Sequence, residues 1–119
     1  MKKVKVEDLI GPELDYAVCL FLGEKYRSTV FYNSIGMDFP ATLYSEDWSL
    51  GGPVIQSRGV SIYENLPAMK DSVWMARPSI TAKGSMPARA CGGPTMLIAG
   101  LRCVVSSMFE DYVEIPEKL

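Results

Sequence analysis

The sequence predicts an α+β fold, an antiparallel sheet packed by an N-terminal and a C-terminal helix, with a short middle helix. Three observations carry that expectation. Leu14, Ala17, Val18 and Phe21 recur at helical spacing near the start. Two central runs, VSIYENL and SVWMARPSI, are rich in β-branched and aromatic residues, as strands are. A third run, ACGGPTMLIAGLRCVVSSMF from Ala90 to Phe109, is apolar on nearly every helical face, the mark of a helix buried on all sides or covered by a second subunit. With 119 residues, 48 % of them hydrophobic, the chain suits one domain, 1–119, with material for a core.

The elements follow in order. VKV alternates and reads as a short edge strand or an extended lead-in. EDLIGPELDYAVCLFLG reads as a helix, with Pro12 in its first turn, Glu13 and Asp15 favouring its positive end, and Gly23 as its stop. KYRSTVFYNS is a strand by composition, and Pro40 demotes MDFPATLYS to an edge strand or extended loop. EDWSLGGPVIQSRG reads as a turn feeding a short helix from about Pro53 to Arg58. VSIYENL and SVWMARPSI pair antiparallel across the connection NLPAMKDS, and a flexible segment runs from Thr81 to Gly93. The final helix spans roughly Pro94 to Phe109, and EDYVEIPEKL closes the chain as an extended arm stopped by Pro116.

Composition narrows the chemistry. The net charge of −2 and a pI of about 5.1 argue against sequence-independent binding of long nucleic acid, which needs a basic surface. No apolar run reaches the ~18 residues of a membrane span, and Glu7 and Asp8 interrupt the basic start, so a soluble intracellular protein is expected. Cys19, Cys91 and Cys103 are odd in number and lie in no ligand spacing, which points to free thiols and no metal. Histidine is absent, which removes the usual general base and the Ser-His and Cys-His nucleophile pairs. No catalytic residue, no cofactor and no enzymatic activity are therefore expected.

The candidate ligand-binding residues are Trp48, Gly51, Gly52, Trp74, Arg77, Gly92, Gly93, Thr95 and Arg102. Gly-Gly-Pro occurs twice, at Gly51-Gly52-Pro53 and Gly92-Gly93-Pro94, each time ahead of an apolar run. A glycine cap offers no side-chain acceptor, so in the last helix the amides of Thr95 and Met96 are left for an anion, with the Thr95 hydroxyl beside them. The alternative is that the glycines allow close backbone packing and water meets the amides. Trp48 and Trp74, the latter with Arg77 nearby, are either stacking faces for a flat ligand or core residues. Glu46 and Asp47 are adjacent carboxylates in a turn, best read as capping or solvated groups. Arg102 interrupts an apolar helix, so its guanidinium pairs with a carboxylate, reaches solvent, or meets a ligand or subunit.

Three segments carry a family resemblance: VKVEDLIGPELDYAV, SEDWSLGGPVIQSRGVSI and GGPTMLIAGLRCVVSSMFEDYVEIPEKL. Together they resemble the NinX-like proteins of tailed phages and prophages. The resemblance implies a phage protein of the host cell cytoplasm, with no enzyme mechanism, and a variable middle region, Asn65 to Ala90, where specificity differs. By analogy with small accessory phage proteins, the expected role is counter-defence: sequestration, by a homo-oligomer, of a phosphate-bearing, nucleotide-like signalling molecule. The alternative is a protein–protein inhibitor that occludes a host defence or replication enzyme through exposed Met and Tyr residues. A phosphodiesterase is a third reading, disfavoured by the missing histidines.

Overall fold

The computed structural model describes residues 1–24, 44–64, 73–78 and 90–117. Strand β1 (Lys2–Lys5) leads through a single 3-10 turn (Val6–Asp8) into helix α1 (Gly11–Leu22). Helix α2 (Trp48–Ser57) precedes strands β2 (Val60–Glu64), β3 (Trp74–Pro78) and β4 (Cys91–Gly93). Helix α3 (Met96–Phe109) and strand β5 (Tyr112–Ile115) complete the described chain. The expected strands KYRSTVFYNS and most of MDFPATLYS, the connection NLPAMKDS and residues 81–89 lie outside the described residues.

Two antiparallel sheets form among the described residues. The arm at the C-terminus is a strand: β5 pairs with β1, Val4 opposite Val113 and Lys2 opposite Ile115. VSIYENL and SVWMARPSI pair as expected, Ile62 opposite Ala76, and β4 adds a third strand with Ala76 opposite Cys91. That third strand corrects the reading of Thr81 to Gly93 as wholly flexible. In the order β2-β3-β4, alternation turns Ile62, Ala76 and Cys91 to one face, and Ile62 reaches Gly100 of α3.

Helix α3 is the centre of the molecule. Residues Leu97 through Ser106 are all buried, and α3 packs against α1, α2, the three-stranded sheet and the 3-10 turn. One chain therefore covers this helix, and its all-round apolarity does not require a second subunit. Helix α1 runs as its sequence suggests: proline in the first turn, Leu14, Ala17 and Val18 fully buried, and Gly23 in the left-handed region at φ 72° closing the end.

Both Gly-Gly-Pro runs differ from expectation in the same way: neither opens a helix. Gly51, Gly52 and Pro53 lie inside α2, which starts five residues earlier than Pro53 because Asp47 caps it, its Oδ1 accepting from the Ser49 amide at 2.9 Å. Proline usually marks a first turn, but here it is an interior residue, and the glycine before it relieves the crowding that proline imposes. In the second run Gly92 and Gly93 belong to β4, and α3 begins at Met96 with Thr95 as its cap.

Glycine is required at position 51 by close approach. A methyl group there would collide with the Tyr44 carbonyl and lie 2.7 Å from Cδ1 of Leu97. At Gly100 the obstacles are the ends of the Ile55 and Ile62 side chains, which can rotate. Gly51→Ala should therefore cost about 1–3 kcal/mol of stability. Gly100→Ala should cost less, because the Ile55 and Ile62 side chains can yield where the Tyr44 carbonyl cannot, and both helical sites gain the same propensity of about 1 kcal/mol. Urea denaturation of the two variants checks that order, and equal losses would contradict it.

Candidate functional site

Trp48 is the first residue of α2 and 51 % of its surface is exposed. Its ring lies over Gly52, where a Cβ would sit 3.4 Å from Cε3, an ordinary contact. Gly51, one residue before, faces Leu97 and Leu101 of α3. The α2–α3 contact is thus made at Gly51, while the indole of Trp48, three residues earlier, stands exposed at the start of α2.

At the first turn of α3 the Thr95 Oγ1 accepts from the Ile98 amide at 3.1 Å, and the Thr95 carbonyl accepts from Ala99. The cap is therefore supplied by a side chain and not by Gly93. The amides of Met96 and Leu97, one residue later than the sequence suggests, are the ones without an intrahelical acceptor. Met96 and Thr95 are exposed. Gly92 and Gly93 pair with Met75 and Trp74 in the sheet. A Cβ on Gly93 would lie 2.8 Å from the Ala99 nitrogen, so this glycine lets β4 press on the α3 backbone.

Trp74 and Arg77 do not form one site. Three residues apart in a strand, they point to opposite faces. Trp74 is half-buried against the core, while Arg77 is exposed with its guanidinium 5.4 Å from the centre of the Tyr63 ring. Arg77 is thus turned away from the sheet face on which Trp74 and Gly93 lie.

Arg102 is 8 % exposed and pairs with no carboxylate among the described residues. Its Nε donates to the Leu9 carbonyl at 2.7 Å and its Nη1 to the Gly92 carbonyl at 2.8 Å. Burial lowers its pKa, with Cys91, Asp8 and Glu7 acting in the opposite direction, and a guanidinium stays charged regardless. The suspicion aimed at Arg102 thus resolves into a structural tie between α3, the N-terminal segment and β4.

Sequence reasoning passed over a second polar cluster. Asp15, which the sequence places among the charges of the helix start, is 2 % exposed and accepts from the Ser45 amide at 2.8 Å. Burial raises its pKa to about 6, against the pull of the Ser45 amide and hydroxyl. Next to it the Tyr44 hydroxyl donates to the Glu24 carboxylate. The available signal was spacing: Asp15 shares a helical face with Val18 and Cys19, both buried. Asp47, by contrast, caps α2 as the sequence suggests.

One shallow cleft of about 370 Å³ is lined by Lys2, Ile10, Pro12, Glu13 and Pro116 and by none of the candidate ligand residues. Its Lys2 and Glu13 form an ion pair at 3.4 Å. No group of three or more Cys, Asp or Glu among the described residues is arranged to hold a metal, and no described helix is long and apolar enough to cross a membrane.

The family described as Bacteriophage P22, NinX matches residues 5–108. This chain belongs to that family. It is a phage protein, and the match spans every element from the end of β1 to the last turn of α3. No curated protein matches the chain.

The Gly93 geometry gives a direct test in this NinX family member. Gly93→Asp places a side chain against the Ala99 backbone and should cost about 1–3 kcal/mol. Thr95→Ala removes only the cap and should cost about 1 kcal/mol. Thermal melts of both variants check this; a Gly93→Asp chain as stable as wild type would return the glycine to the role of a free cap.

Proposed function

We propose that this phage protein is a non-catalytic binding protein that sequesters a small phosphate-bearing, nucleotide-like molecule of the host cytoplasm. The ligand-facing surface in this reading is Trp48 together with the first turn of α3. The observation that carries it is the exposed Trp48 indole on a helix locked to α3 at Gly51 and Leu97. An aromatic face accepts a base by stacking, and the unpartnered amides of a helix start favour an anion. Gly51, Gly52, Gly92, Gly93 and Arg102 enter only as the scaffold that sets this surface, and Arg77 lies on the other face of its sheet. A sequestering protein works by stoichiometry, which is compatible with a chain lacking histidine.

A second reading, occlusion of a host protein, is favoured by a different observation. Leu20, Leu22, Trp48 and Leu50 all stand exposed on α1 and α2, more apolar surface than two short helices need to show.

Purification from infected cells separates the two. Sequestration predicts a nucleotide-like molecule released on denaturation and rebinding that quenches Trp48 fluorescence. Trp48→Ala should weaken that binding at least tenfold with the melting temperature unchanged. Co-purification of a host protein with no released small molecule would replace sequestration with the second reading.

A further inference from the structure

The buried acid of α1 has no part in either reading, yet its surroundings are specific. Asp15 holds the amide of Ser45, thirty positions away in sequence, in the turn that leads into α2. The same turn is fixed twice more: the Tyr44 hydroxyl donates to Glu24 just beyond α1, and the Tyr44 carbonyl abuts Gly51. Ser45 is 5 % exposed. The titratable groups around this turn are Glu46, Glu24, Cys19 and Tyr44, all neutral or acidic, and no basic side chain among the described residues pairs with Asp15.

We propose that Asp15 is a proton-operated clasp: neutral, it holds the Tyr44–Ser45 turn against α1, and ionised, it favours release of that turn and of the N-terminal end of α2. An ionised carboxylate buried beside Glu46 gains hydration when the turn lifts, whereas a neutral carboxyl gains little. Burial first, and Glu46 in addition, raise its pKa from 3.8 to about 6, while the Ser45 bonds oppose the rise. The closed state therefore binds the proton more tightly than the open one. The stabilisation is complete below the ordinary value and is lost as the pH rises through about 6. Trp48 is the first residue of α2, so the clasp governs how firmly that indole is held.

Hydrogen exchange on the full chain tests this. Opening of the turn should become about fiftyfold more frequent between pH 4 and pH 7.5, read as loss of protection at the Ser45 amide after correction for intrinsic exchange. Amides in the middle of α3, such as Val104, should keep greater protection throughout. In Asp15→Asn, whose amide oxygen still accepts from Ser45, the protection of Ser45 should not vary with pH. The wild-type Asp15 carboxyl carbon, followed by NMR, should titrate near pH 6, a readout that does not depend on the variant folding. A midpoint near pH 4, an unchanged pH dependence in Asp15→Asn, or Ser45 exchange that tracks Val104 would each overturn the clasp.

Discussion

The guanidinium of Arg102 sits where three pieces of chain meet, and it bonds two of them from the third. One partner is the carbonyl of Leu9, in the extended stretch between the 3-10 turn and α1; the other is the carbonyl of Gly92, in strand β4. A buried charge is costly unless its donors are met, and main-chain carbonyls meet it here without an opposing carboxylate. Those carbonyls gain from Arg102 in turn, because a main-chain acceptor taken from water needs a donor. The N-terminal segment and the three-stranded sheet are thereby fixed to one central helix.

Around that tie the fold is governed by how closely other elements approach α3. Gly93 lets β4 lie on the helix backbone, Gly51 lets α2 settle on Leu97 and Leu101, and Gly100 admits Ile55 and Ile62. These small residues sit at three contacts of one helix, which is why α3 can be apolar on all sides within a single chain. The repeated Gly-Gly-Pro run is thus two instances of close packing in different settings, one in a helix and one in a strand. Trp48 at the start of α2 and Thr95 and Met96 at the start of α3 are left exposed outside these contacts.

Much of this architecture was legible. The α1 stripe, the β2–β3 pairing and the buried final helix all follow from periodicity and composition, because local pattern and tertiary burial agree there. What misled was punctuation. Pro53 and Pro94 resemble first-turn prolines, but a side-chain acceptor outranks a proline as a helix start, and Asp47 and Thr95 are those acceptors. Arg102 and Asp15 were visible as charges among apolar neighbours, yet their partners are a carbonyl 93 positions away and an amide 30 positions away. Partners of that kind are set by the fold and leave no local pattern. The pairing of Trp74 with Arg77 failed for a simpler reason, since three residues span one face of a helix but both faces of a strand.

The claim that Arg102 is a structural tie is tested most directly by comparing Arg102→Met and Arg102→Lys with wild type in chemical denaturation. Methionine fills similar space but leaves the buried Leu9 carbonyl and the half-buried Gly92 carbonyl without this donor, and lysine cannot present two donors in a fixed fork. Both variants should lose about 3–5 kcal/mol, a large share of the ~5–15 kcal/mol that holds a domain of this size. A methionine variant as stable as wild type, or more so, would contradict the account and return Arg102 to the list of residues kept for a ligand or partner.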